Sequence, residues 1–194
     1  MTIELDHFQE KINLALPAIT LVIGGASSGK SAFAEAMVHD SGLAKTYLAT
    51  AQAFDDEMKA KIEAHREARA GFGWRTVETP LELAKELAQL DSDEVALVDC
   101  ASLWLGNIMF ATRDWEGEAE ELCEVLELMP NPAVIVTNEV GHGIVPENKL
   151  AREFRDAHGQ LNQILAAQAD LVVLVIAGLP MVLKGNLPEG FGPW

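Results

Sequence analysis

Gly24-Gly25-Ala26-Ser27-Ser28-Gly29-Lys30-Ser31 stands between the apolar run Ile19–Ile23 and an alanine-rich helical run over Ser31–His39. Those eight residues match G-x-x-x-x-G-K-[ST] in its strand-to-helix context, which marks a phosphate-binding loop. The chemistry explains the spelling. Glycines let the backbone curl so that successive N–H groups converge on phosphate oxygens. The start of the next helix adds a partial positive charge. Lys30 is positioned to reach the β- and γ-phosphates of a nucleotide, and the Ser31 hydroxyl to ligate Mg²⁺. The bland alternative is a glycine-rich turn that happens to contain a lysine, and the flanking strand and helix weigh against it.

Outward from this loop, short β-branched runs alternate with helical patterns. Strands are predicted at Ile19–Ile23, Lys45–Thr50, Glu94–Asp99, Ala133–Thr137 and Leu171–Ala177. Helices are predicted around Ser31–His39, Asp55–Ala70, Leu81–Leu90, Ser102–Ala111, Trp115–Met129 and Asn148–Ala169. Such alternation implies an α/β fold, a mostly parallel sheet with helices on both faces. Asp99, ending the apolar run Val95–Val98, fits the acidic residue that joins a Mg²⁺ shell beside such a loop, although strand-ending aspartates also serve as helix caps.

The chain divides into an arm over 1–18, a single domain over 19–185 and an irregular Gly- and Pro-rich tail over 186–194. At 194 residues it has room for one such domain. A formal net charge of -16 argues against a protein that coats nucleic acid, which needs a basic face. Two cysteines, Cys100 and Cys123, form no disulfide framework or metal spacing, and point to a reduced, cytoplasmic setting. The beginning, MTIELDHFQE, lacks the pattern of a signal peptide. The longest apolar stretch, Leu171 to Leu183, is interrupted by Gly178 and Pro180, is too short to span a bilayer, and reads as a buried strand and the loop after it.

The run from Asp55 to Ala70 carries a second signal. On a helix, Met58, Ile62, His65 and Arg69 fall within about 60° of one another, opposite Lys59, Glu63 and Glu67. His65 and Arg69 therefore share the face that turns toward the body of the protein. A neutral imidazole there can act as base or nucleophile, and an arginine one turn away can hold a phosphate through paired hydrogen bonds. A partly buried, satisfied histidine with an arginine passing beside it is the commoner outcome of such a pattern.

Several segments in order carry a family resemblance. They are Gly24–Ser31 with Ala34-Glu35, Tyr47-Leu48-Ala49-Thr50-Ala51, Asp55-Asp56-Glu57-Met58 with Ile62, His65-Arg66 and Arg69, and Trp74-Arg75-Thr76 with Glu78. Asp99-Cys100 with Leu103-Trp104-Leu105 and Asn107 follows, then Thr137–Gly141, Gly143–Asn148, Leu150-Ala151-Arg152, Phe154-Arg155-Asp156 and Leu161-Asn162-Gln163. From about Ile19 to Lys184 the chain resembles the bifunctional adenosylcobinamide kinase / adenosylcobinamide-phosphate guanylyltransferase family of cobalamin biosynthesis.

The resemblance implies a P-loop, RecA-like domain that assembles as a homotrimer. It implies phosphorylation of adenosylcobinamide by ATP or GTP, then transfer of GMP from GTP through a GMP-histidine at His65. Nucleotide contacts carry over to Gly24, Gly25, Ala26, Ser27, Ser28, Gly29, Lys30 and Ser31, to Ala49, Thr50 and Ala51, to Arg66, Glu67, Ala68 and Arg69, and to Glu78 and Asp99. Three positions depart from the family pattern: Ser27 where arginine is common, Ala101-Ser102 where Leu-Thr is frequent, and His142 where a smaller or apolar residue, often methionine, is usual. A P-loop kinase without a covalent histidine, or a nucleotide-dependent switch module, are the competing readings.

Overall fold

The computed structural model describes residues 14–53 and 56–192. Among them one seven-stranded sheet contains β1 (Ile19–Gly24), β2 (Ala44–Ala49), β3 (Trp74–Glu78), β4 (Glu94–Asp99), β5 (Ala133–Asn138), β6 (Leu171–Ile176) and β7 (Leu179–Lys184). Their spatial order is β3-β2-β4-β5-β1-β6-β7. The first six strands are parallel, and β7 folds back antiparallel on β6. The strand that leads into the phosphate loop is thus central, paired with β5 and β6.

The helices are α1 (Lys30–Asp40), α2 (Asp56–Arg69), α3 (Leu83–Leu87), α4 (Ala101–Phe110), α5 (Trp115–Leu128) and α6 (Lys149–Gln168). Alternation along β1 sends Leu21 to one face of the sheet and Val22 to the other. Leu21 joins Leu48, Val98 and Ile135 beneath Leu87, Trp104, Leu122 and Leu161 of α3 to α6. Val22 joins Leu97, Val134 and Val173 beneath Phe33 and Met37 of α1. Each such fully buried large side chain contributes roughly 1.5–3 kcal/mol. Asp114 and Asn148 cap α5 and α6 through their side-chain oxygens, as their residue types favour.

Two strands differ from the sequence expectation. The β3 segment Trp74–Glu78 is half polar and lies at a sheet edge, so it lacks the apolar run of an inner strand. The second difference is β7, where a loop was expected. Ala177 and Gly178 both adopt positive φ, 53° and 79°, and form the two-residue turn of a hairpin. Pro180 is accommodated because β7 is an outer strand.

Both flanks of the domain touch the α1 face. The Leu14 side chain is buried there and its N–H donates to the Asp40 carbonyl at 2.9 Å. From the irregular residues 186–192, Phe191 is buried edge-on against Phe33, with ring centroids 5.4 Å apart. Among the described residues no helix is long and apolar enough to cross a membrane.

Candidate active site

Where β1 ends, Gly24 lets the chain fold back over itself. A Cβ there would fall 2.3 Å from Ser28 Oγ and 2.8 Å from the Val175 carbonyl oxygen. Gly29, at φ 93°, forms the N-cap of α1, and its Cβ would press to 3.1 Å from the Gly178 Cα. The loop is braced internally by the Ser28 N–H donating to the Gly25 carbonyl at 3.3 Å. The hairpin turn braces it from outside, the Gly178 N–H donating to the Ser28 carbonyl at 2.8 Å. Lys30 folds over the loop and donates from Nζ to the Gly25 carbonyl at 3.1 Å.

A cavity of about 460 Å³ opens over the carboxyl ends of the parallel strands, where open α/β sheets bind ligands. It gathers Ala26, Ser27, Lys30 and Ser31 from the loop, Ala49 at the end of β2 and Ala51 beyond it, and Arg66 and Arg69 from α2. Glu78 ends β3 and Asp99 ends β4 in the same wall. Tyr47, Thr76, Leu103 and Asn138 also line it, without having been singled out for a role in the sequence. Thr50 is not among the lining side chains. It is buried, and its hydroxyl donates to the Cys100 carbonyl and accepts from the Cys100 N–H, both at 2.8 Å. Glu67 is exposed and outside the cavity wall.

Helix α2 brings its last turn to this wall. Its described side chains at Lys59, Glu63 and Glu67 are exposed, whereas Arg69 is buried. The Arg69 guanidinium lies 3.5 Å from the centre of the Tyr47 ring, with Nη1 3.6 Å from Glu35 Oε1. His65 is on the same helix one turn before Arg69. Its side chain, like those of residues 57, 58, 61, 62, 64 and 68, lies outside the described residues, so the Met58, Ile62 and Ala68 side-chain assignments do too. Tyr47 donates its hydroxyl to Asp99 Oδ2 at 3.0 Å; burial and the Asp99 charge push the phenol pKa up.

Behind the cavity, a buried polar cluster ties α4, β5 and α6 together. The Asn138 N–H donates to Ser102 Oγ at 2.7 Å, and His158 Nε2 sits 2.8 Å from the same oxygen. Thr137 donates to Asn162 Oδ1 at 2.8 Å, and Asn162 returns a bond to the Asn138 carbonyl at 3.0 Å. Burial holds His158 below the usual imidazole pKa, partly opposed by Glu139, so its ring is neutral. This cluster fixes the end of β5 and hence Asn138.

Arg152 and Arg155, three residues apart on α6, hold loop carbonyls. Arg152 Nη1 donates to Pro146 and Glu147, at 2.9 and 2.6 Å, and Arg155 Nη2 to Gly141 at 2.8 Å. Trp104 is a core residue, its indole N–H donating to the Leu81 carbonyl at 3.1 Å. A second, almost wholly apolar cavity of about 540 Å³ lies between α4 and the start of α6 and shares Leu103 with the first.

A central strand, a glycine cradle, a lysine opening the next helix and a carboxylate at the end of β4, one strand beyond β5, together define a P-loop nucleotide-binding protein with a RecA-like α/β fold. The fold is similar to that of the flagellar accessory protein FlaH from Methanocaldococcus jannaschii, with a TM-score of 0.51 and 13% identity over 95% of this chain and 87% of that one. It is also similar to the RadB recombinase, with a TM-score of 0.53 and 14% identity over 90% and 85% of the two chains. Sequence carries the comparison further. Residues 20–183 match the family model for cobinamide kinase / cobinamide phosphate guanyltransferase. The bifunctional adenosylcobalamin biosynthesis protein CobP of Pseudomonas aeruginosa is 45% identical over 169 residues, covering 86% of this chain and 97% of that protein. CobU of Escherichia coli, of the same description, is 42% identical over 180 residues, covering 84% and 98%. The chain belongs to the cobinamide kinase / cobinamide phosphate guanyltransferase family.

Proposed function

We propose that this chain phosphorylates adenosylcobinamide with a nucleoside triphosphate and then transfers GMP from GTP to the product through a histidine. The observation that carries the reading is the single cavity lined by Lys30, Ser31 and Asp99 on one side and by the last turn of the histidine-bearing helix, Arg66 and Arg69, on the other.

In the kinase step the aminopropanol hydroxyl oxygen attacks the γ-phosphorus in line. The new O–P bond replaces the bond to the nucleoside diphosphate, and the hydroxyl proton is lost. Lys30 and the loop amides hold the phosphates and take up charge as that diphosphate departs. In the second step a neutral His65 ring nitrogen attacks the α-phosphorus of GTP and pyrophosphate leaves. A phosphate oxygen of adenosylcobinamide phosphate then displaces the imidazole, giving adenosylcobinamide-GDP and free His65. Ser31 and Asp99, one hydroxyl and one carboxylate in the same wall, are a donor set suited to Mg²⁺, which would shield phosphate charge there. The carried-over contacts at the phosphate loop and at Ala49, Ala51, Arg66, Arg69 and Glu78, which line the same cavity, complete the proposed nucleotide site.

The reading extends to a cytoplasmic homotrimer. Leu179, Met181 and Leu183, exposed on the outer strand β7, support burial against a second copy. A solution mass of one chain by light scattering would remove that part.

The deciding experiment incubates the protein with Mg²⁺ and GTP labelled at the α-phosphate, without corrinoid, beside His65→Ala. Acid-labile, alkali-stable label on the wild type and none on the variant is the expected result. No label on protein shown to bind GTP would refute the covalent step and leave a P-loop kinase.

A further inference from the structure

Tyr47 stands between two parts of the site that come from different elements. Its hydroxyl donates to Asp99 Oδ2 at 3.0 Å, and its ring face carries the Arg69 guanidinium at 3.5 Å. The ring cannot turn aside easily: it is 5% exposed, on an inner strand, with Trp74 edge-on at 6.1 Å. Arg69 is itself only 7% exposed, and among the described residues its Nε and Nη1 hydrogens find no hydrogen-bond acceptor. Its ion pair with Glu35 is long, at 3.6 Å. Buried guanidinium N–H groups left in this state are costly unless a ligand completes them. Both Tyr47 and Arg69 line the phosphate-side cavity, as does Asp99.

We propose that Tyr47 is a positioning residue that sets the nucleotide site from both sides at once. Through its hydroxyl it fixes one oxygen of Asp99, leaving the other to face the metal-bound phosphates. Through its ring it holds the Arg69 guanidinium flat in the cavity wall, where an anionic oxygen of the nucleotide supplies the missing hydrogen-bond acceptor. The inference rests on the nucleotide-binding part of the proposed function and assigns a role to a residue that makes no chemical step itself.

The two arms are separable. Tyr47→Phe keeps the ring and loses the hydroxyl; Tyr47→Leu loses both. Binding of a fluorescent GTP analogue would be titrated in EDTA and in Mg²⁺, with thermal unfolding of each apoprotein alongside. The expected result for Tyr47→Phe is an unchanged Kd in EDTA and a gain from Mg²⁺ reduced about three- to tenfold, the size of one ordinary lost hydrogen bond. For Tyr47→Leu the Kd in EDTA also rises, by about threefold or more, as a lost cation–π contact implies. Variants that bind as the wild type in both buffers would overturn the proposal alone. So would a Tyr47→Phe variant weakened equally in both, which marks a merely structural tyrosine. Wild type that bound in neither buffer would overturn the functional reading and this inference together.

Discussion

Replacing Gly24 by alanine tests how tightly the loop closes over the strand end. The new methyl would meet two neighbours of different kinds. Ser28 Oγ, at 2.3 Å, is a side-chain atom that can rotate; it is buried without a hydrogen-bond partner among the described residues, so its displacement breaks no bond there. The Val175 carbonyl oxygen, at 2.8 Å, belongs to the β1–β6 pairing and can move only if two central strands part. Forced overpacking of this kind costs about 1–3 kcal/mol, and the backbone contact puts this case at the upper end. For a domain of this size that corresponds to a fall of roughly 4–12 °C in Tm. Gly25→Ala is the matched control, with no atom within 4 Å of its Cβ and no positive φ. It should melt within about 2 °C of the wild type, since alanine at a compatible position also restricts the unfolded chain slightly. Thermal unfolding by circular dichroism, without nucleotide, reads both. A Gly24→Ala variant that melts with the wild type, or a Gly25→Ala variant that falls as far, would refute the reasoning.

The neutral, buried His158 makes stability depend on acidity. Its pKa in the fold lies below the unfolded value, so its contribution is complete above about pH 6.5 and is lost as pH falls through the folded pKa. Denaturant unfolding at pH 7 and pH 5 should show a smaller decline for His158→Gln than for the wild type; equal declines would exclude this histidine as the cause. Burial pushes the Cys100 thiol up to about 11, while Cys123 is only half-buried. Iodoacetamide at pH 8 should therefore modify Cys123 alone in native protein, as peptide mass mapping would show, and Cys100 only after unfolding. Phe191→Ala should cost about 3 kcal/mol by denaturant titration, because the ring fills the α1 face against Phe33. A loss under about 0.5 kcal/mol, the range of surface substitutions, would mean that the tail does not pack there in solution.

The five inner strands were legible because a strand buried on both faces needs an apolar run, as Val95–Val98 and Ala133–Val136 are. The outer strands were not. In β3 the alternation is weak and mostly exposed, and in β7 the Gly178–Pro180 sequence imitates a chain break although it forms a hairpin. The phosphate loop writes its function into local spacing, so Lys30 and Ser31 were readable without a fold. Asp99 was readable only beside that loop. Tyr47 and Asn138 carry no local signal, since their place in the wall depends on β2, β4 and β5 standing side by side. Arg152 and Arg155 illustrate the reverse case: suggestive spacing on a helix, with the guanidiniums engaged by carbonyls of the preceding loop.

The central place of β1 has a consequence for how the molecule is made. Its partners β5 and β6 begin about 110 and 150 residues after β1 starts. At ribosomal speeds of roughly 5–20 residues per second, the Ile19–Gly24 segment is synthesised on the order of 5–20 s before its first partner is translated. During that interval an apolar strand has both hydrogen-bonding edges bare. The nucleotide cradle cannot close until the later partners arrive, so nascent chains should depend on chaperone cover over this segment, and ligand cannot rescue them early.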